Sequence, residues 1–415
     1  MNRFVPNGNW VRMLSTKVST SSRTIIVTPG QGIFKKESIE FLTKYLKSTD
    51  EDSIISPTLH ENVNNLMETS NKVCGFNISK YLTDLDNLSG SDLQKTSIQQ
   101  PLMILTDLII NQILKDQFEL DIYDDEKYQV DYTLGHSLGE ITNLVLQETI
   151  SFEDGIKLAH ERGILMEKLI GDVLSKKNEG YKMYVLMVRP QLFDATLFFL
   201  KQNKDINISN INSSEQIVIS GLNSDVLKAI NGLKSCLKNH DSKFKLKPID
   251  LNVEIPFHNA ILKPIVKDLN NMIINDDIKS VAPLTRWLPI PLISNLDGSI
   301  NKNSSDYIAK ILAVTYQTID FKKCLETILL KAETEALATD NNHENYGIST
   351  LNFINFGPGN VTKNLISRFF KNNDNELNRL KLTINNYSLD SDDNIHEFVC
   401  AFRKLKKPKQ KQEIF

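Results

Sequence analysis

The segment Tyr132-Thr133-Leu134-Gly135-His136-Ser137-Leu138-Gly139-Glu140 sets one serine between two glycines, where a strand pattern gives way to a helix pattern. Val130, Tyr132 and Leu134 alternate with polar residues, as in a half-buried strand, and Leu138, Ile141 and Val145 recur at helical spacing. Strand, G-x-S-x-G turn and helix together are the setting of a nucleophile elbow. The turn is too sharp for side chains flanking the serine, hence the glycines. A serine held in strained backbone projects its hydroxyl outward. The starting helix offers the Leu138 amide to a developing oxyanion, and Glu140 sits in its first turn, where negative charge is favoured. G-x-S-x-G also occurs by chance in loops, and the flanking strand and helix are what favour catalysis here.

The 415-residue chain can hold a large core and two domains. With 24% charged and 40% hydrophobic residues it has the balance of a globular enzyme, and a net charge of -3 carries no signature of nucleic-acid binding. No apolar run approaches the roughly 18 residues that span a bilayer, so no membrane insertion is expected. Pro101 to Leu114 comes nearest and reads as a buried helix. Cys74, Cys236, Cys324 and Cys400 are scattered without metal-ligand or redox spacing, so free thiols and no metal site are expected.

No Asp or Glu precedes Glu37, whereas Arg3, Arg12, Lys17 and Arg23 are interspersed with serines and threonines. Trp10, Leu14 and Val18 share a face if residues 9–19 are helical. A basic, hydroxyl-rich, acid-free leader over residues 1–23 matches a mitochondrial transit peptide, with a disordered tail as the other reading. A matrix location is expected.

The folded part begins with the β-branched strand Thr24 to Thr28, which runs into Pro29-Gly30-Gln31-Gly32. A polar cluster at 48–53 and Asn-rich stretches at 340–346 and 371–378 read as surface loops. Between 183 and 251 the order is β-α-β-β-α-β, the ferredoxin-like split motif. Strands near 292–294 and 351–355 then resume the α/β rhythm. The expected fold is α/β: a large α/β-hydrolase-like domain (24–178 and 252–400) with an inserted small ferredoxin-like subdomain (179–251) and a basic tail (401–415).

A serine hydroxyl is a weak nucleophile until a base takes its proton. His136 adjoins Ser137, but neighbours on a sharp turn point apart, so packing is its expected role. His258, after a strand and Pro256, is the better base. His60, His160, His240, His343 and His396 read as surface residues. On the residues alone Arg162 is a solvated helix charge.

Pro29-Gly30-Gln31-Gly32, Gln100-Pro101, Gly135 to Glu140, Arg162-Gly163 with Met166, Gln216 to Gly221, Phe257-His258-Asn259 and Phe356-Gly357-Pro358-Gly359-Asn360 occur in one order. That series resembles the malonyl-CoA:acyl carrier protein transacylases of fatty acid and polyketide synthesis, over roughly residues 24–370, and the leader points to a mitochondrial member. The resemblance implies transfer of a malonyl group from malonyl-CoA to the phosphopantetheine thiol of acyl carrier protein, supplying mitochondrial fatty acid synthesis, with no cofactor beyond the substrates. It implies Ser137 as the malonylated nucleophile, His258 as base and then acid, and the amides of Gln31 and Leu138 as the oxyanion hole. Arg162 would pair with the malonyl carboxylate, which a planar guanidinium can hold through two parallel hydrogen bonds.

Gln100, Asn210, Asn212 and Phe257 match substrate-pocket positions of that family. A polar helix start explains Gln100 as well, a hairpin turn the two asparagines, and core packing Phe257. The family orients its histidine with a backbone carbonyl, and Tyr316 to Phe321, with Asp320 where many members carry glutamine, matches that place. Ile33-Phe34 departs from the family's usual Ser-Gln. The acidic carrier protein is a partner that the basic tail could steer, a frayed terminus being the blander account. A monomer is expected. The competing reading is a serine hydrolase or thioesterase, whose triad acid would come from Asp241, Asp250 or Glu254.

Overall fold

Ile25, Ile26 and Val27 lie at the centre of a sheet covered on both faces, which is why β-branched apolar residues run there without alternation. The computed structural model describes residues 22–32, 36–47, 55–85, 92–124, 128–176, 179–240, 246–274, 278, 287–339 and 350–405. The leader through residue 21, Ile33-Phe34, Asp241, the 48–53 cluster, the 340–346 stretch and the tail beyond 405 lie outside the described residues.

The described strands are β1 (Ser22–Thr28), β2 (Tyr132–Gly135), β3 (Tyr181–Met187), β4 (Ile206–Ser213), β5 (Gln216–Leu222), β6 (Lys247–Asp250), β7 (Trp287–Ile293), β8 (Ile300–Asn303), β9 (Ile319–Asp320), β10 (Thr350–Asn355) and β11 (Thr383–Ser388). One sheet has the order β11-β10-β1-β2-β7-β8. All its pairs are parallel except β7 with β8. Because strand side chains alternate, Ile26 packs into the layer containing the helices Thr96–Gln112 and Phe152–Leu174. Ile25 and Val27 face the helices Phe321–Thr339 and Val361–Asn372 instead. Parallel strands bring their carboxyl ends to one edge, so the segments after β1, β2, β7 and β10 gather there, the usual place for a ligand crevice.

The second sheet has the order β6-β3-β5-β4-β9. Its first four strands are antiparallel, and the helices Phe193–Gln202 and Asn223–His240 bury their apolar stripes on one face. The β-α-β-β-α-β order read from the sequence is present. The sheet also takes a fifth strand, β9, from outside 179–251, parallel to β4. Only two residues long, β9 is too short to give a periodic signal.

Three local expectations change. Asn210 and Asn212 belong to β4, not to the turn after it, because β4 runs on to Ser213 through two irregular pairings. The stretch 371–378 is helical: Val361–Asn372 is followed, after Asn373, by the helix Asp374–Leu380, whose Leu377 is buried. Ser22 and Arg23, the expected end of the leader, start β1, and Arg23 bridges Asp131 and Glu335 at 3.0 and 2.9 Å.

Pro101 lies inside the helix Thr96–Gln112. With no N–H it leaves the carbonyl four residues back, that of Ser97, without its helical donor. His160 Nδ1 supplies a substitute at 2.8 Å, so His160 is a half-buried tie between two helices rather than a surface residue. Among the described residues no helix is long and apolar enough to cross a membrane, and no His/Cys/Asp/Glu cluster could hold a metal ion.

Candidate active site

The turn after β2 shows why both glycines are needed. A Cβ on Gly135 would collide with the backbone of Gly139 and Glu140, and one on Gly139 with the Thr28 carbonyl. Between them Ser137 takes the left-handed conformation, φ 54°, and His258 does likewise at φ 57°. Such backbone costs about 1–3 kcal/mol per residue and persists only when its surroundings over-determine it.

Ser137 Oγ lies 2.9 Å from His258 Nε2. On the far side of the ring, His258 Nδ1 is 2.6 Å from the Val314 carbonyl. A carbonyl only accepts, so the proton sits on Nδ1 and the Nε2 lone pair faces the serine hydroxyl. Burial pushes the His258 pKa down to about 3, with Arg162 and His136 reinforcing it against the Val314 bond. The ring is therefore neutral at neutral pH and able to take a proton.

The loop carrying His258 is pinned from the small sheet, where Asn259 Nδ2 donates to Ser220 Oγ at 3.0 Å, and Ser220 pairs with Ser209 at 2.8 Å. Its orienting carbonyl belongs to Val314, at the end of the helix Ser304–Val314, and not to the Tyr316–Phe321 segment. Asp320 is used otherwise: its amide donates to the Asn295 carbonyl at 2.7 Å, and its carboxylate accepts from the Lys323 amide at 2.9 Å.

Arg162 is buried on the helix Phe152–Leu174, so it is not a solvated helix charge. Its Nε donates to Thr315 Oγ1 at 3.3 Å and its Nη1 to Gln100 Oε1 at 2.9 Å. Burial lowers its pKa to about 10, leaving it cationic at neutral pH. Gln100, also buried, passes the connection on: its Nε2 donates to Gln31 Oε1 at 3.1 Å, and Gln31 Nε2 reaches Thr96 Oγ1 at 3.3 Å. Val314 and Thr315, adjacent in the chain, thus hold the base and the cation.

Asn212 Oδ1 meets His136 Nε2 at 3.1 Å, and the His136 ring packs on Phe321, so His136 ties the elbow to the small sheet. Asn210 is buried in β4. Phe257 is half-buried and packs on both the main core and the inner face of the small sheet beside Met183, Val185 and Val218. Glu140, read as a helix-start charge, is fully buried: its Oε1 accepts from the Asn295 amide at 2.7 Å, and burial raises its pKa to about 8. Asn295 carries no motif signal, since a polar residue after a strand reads as a turn.

Of the acids a hydrolase triad would need, Asp250 pairs with Lys182 at 3.2 Å and Glu254 is exposed, while the base is already held by a carbonyl.

No family model matches the chain. The mitochondrial malonyl CoA-acyl carrier protein transacylase of Saccharomyces cerevisiae is 27% identical over 274 residues, covering 62% of this chain and 71% of that protein. The mitochondrial counterpart of Schizosaccharomyces pombe is 24% identical over 316 residues, covering 74% and 90%. A solved structure of a type II PKS acyl-carrier protein in complex with its malonyl-transacylase shares the fold, with a TM-score of 0.63 at 19% identity over 91% of this chain and 99% of that one. In sequence and in fold, this chain is similar to the malonyl-CoA:acyl carrier protein transacylases.

Proposed function

We propose that the chain moves malonyl groups from malonyl-CoA to the phosphopantetheine thiol of an acyl carrier protein through an ester on Ser137. The observation that carries this reading is the 2.9 Å approach of Ser137 Oγ to a neutral His258 in a site that also holds the buried cation Arg162. Ser137 Oγ attacks the thioester carbonyl while His258 Nε2 takes its proton. The oxyanion that forms is met by the amides of Gln31 and Leu138, each such donor being worth about 10²–10³ in rate. The C–S bond breaks, and His258 returns the proton to the departing CoA sulfur. In the second half the carrier's thiol gives its proton to His258 and attacks the ester, and Ser137 Oγ leaves with that proton.

Arg162 receives the malonyl carboxylate, which places the acyl group for attack. Gln100 holds Arg162, Asn210 and Asn212 line the approach of the thioester arm, and Phe257 bounds the pocket against an α-branched acyl group. The base, the oxyanion donors and the cation are all parts of the chain, so the chemistry asks for no cofactor. The strand orders support a large α/β-hydrolase-like domain interrupted by a ferredoxin-like one. The mitochondrial relatives and the acid-free leader support a mitochondrial protein, and the matrix as its compartment.

Intact-protein mass spectrometry tests the reading. Malonyl-CoA adds one malonyl group at Ser137, and holo carrier protein removes it and gains it. Release of free malonate as the main product, with carrier protein present, rejects transfer in favour of hydrolysis.

A further inference from the structure

Asn295 follows β7, 158 residues from Ser137, yet its side chain closes the elbow. Its Oδ1 accepts from the Ser137 amide at 2.7 Å and its Nδ2 donates to the Gly135 carbonyl at 2.6 Å. One carboxamide thus spans the two peptide groups on either side of the turn. Its own backbone is fixed as well, the amide donating to Glu140 Oε1 and the carbonyl accepting from the Asp320 amide, both at 2.7 Å. Asn295 is fully buried. A left-handed serine needs such a clamp, because nothing in its own chemistry favours φ 54°.

We infer that Asn295 is a positioning residue, acting through Ser137: it locks the elbow so that Oγ faces His258, and it occupies the Ser137 amide so that the oxyanion must turn to Gln31 and Leu138. At neutral pH the carboxamide meets this need because it donates and accepts from one planar end, and so matches a carbonyl and an N–H together. Removing it frees the turn to relax toward right-handed backbone and swings Oγ away from the imidazole. Misplacement of about 1 Å costs on the order of 10² in rate.

The inference rests on Ser137 being the nucleophile, so the test uses a fluorophosphonate, which reports an aligned serine without requiring malonyl recognition. The full chain and its Asn295→Ala and Asn295→Asp variants are compared for thermal melting, for the rate of Ser137 labelling, and for kcat and KM with malonyl-CoA. The expected result is labelling and kcat lowered about 10²-fold in folded variants with KM changed little. The aspartate variant recovers as pH falls, since a neutral carboxyl again both donates and accepts. The titratable neighbours Glu140, Cys324, Tyr307, Asp297, Arg162 and His258 are common to all three proteins, and the wild-type profile corrects for them. Folded variants labelled at the wild-type rate overturn the inference. So does loss of the fold in both variants, which would make Asn295 a fold residue only. A wild-type chain that resists labelling but accepts malonyl elsewhere overturns the Ser137 reading itself.

Discussion

Ser137 Oγ and His258 Nε2 stand 2.9 Å apart across 121 residues of chain, each on backbone at positive φ. Neither side chain is free to choose its direction. The glycines and Asn295 fix the first, and Asn259 and the Val314 carbonyl fix the second. Rigid placement of both partners is what turns an ordinary hydroxyl into a usable nucleophile.

Ser137→Ala removes the acylated oxygen and little else. The variant melts as the wild type does, gains no malonyl mass, and transfers nothing to holo carrier protein. Intact-protein mass spectrometry beside a thermal melt checks both halves of that statement.

On the proposed function, Arg162 selects the acyl group by pairing with its carboxylate. Truncating one partner of a buried charge pair costs about 2–5 kcal/mol, so Arg162→Ala lowers acylation by malonyl-CoA about 10²-fold or more and leaves acetyl-CoA nearly unaffected. Arg162→Lys recovers only part, because a point charge cannot hold both oxygens. Gln100→Leu produces a smaller loss in the same direction, since it releases Arg162 Nη1 and the Gln31 side chain together. Acylation rates with the two thioesters separate these outcomes.

The pH dependence has two opposed components. The His258 pKa is about 3 when folded, against an ordinary 6.5. Between those values the unfolded chain holds the extra proton, so stability is present above 6.5 and lost as pH falls toward 3. Glu140 is raised from 4.5 to about 8, so its contribution is present below 4.5 and lost as pH rises through 8. Glu140→Gln keeps an acceptor for the Asn295 amide and removes the alkaline decline. Melting temperatures of the two proteins across pH then diverge on the alkaline side. The acid limb of Ser137 labelling falls well below the ordinary histidine range.

Arg23 belongs to the sheet. An Arg23→Ala chain melts lower than the wild type, because Asp131, with a side chain only 9% exposed, loses its cation. Breaking a buried pair costs up to about 3–5 kcal/mol, less here because Arg23 is partly exposed. Differential scanning calorimetry of the two chains measures it.

Ser137 was legible because a nucleophile elbow compresses its requirements into five consecutive residues. His258 was legible as the better base from its place after a strand and a proline, whereas Arg162 was legible only through the motif series, since an arginine on a helix has many ordinary uses. The alternating and β-branched runs also marked β1, β2 and β3 to β6 of the small sheet, but not β9. Asn295, Val314 and Thr315 were not legible. Val314 acts through a backbone oxygen, which every residue carries, and it lies 56 residues from the imidazole it holds. Asn295 acts across 158 residues through a carboxamide no different in sequence from that of a turn asparagine. Sequence by itself determined which groups are chemically able to react, because that ability resides in side chains and short spacings. Tertiary structure decided how they are aimed, because aim comes from peptide groups and buried amides brought together by parallel strands whose order no local pattern encodes.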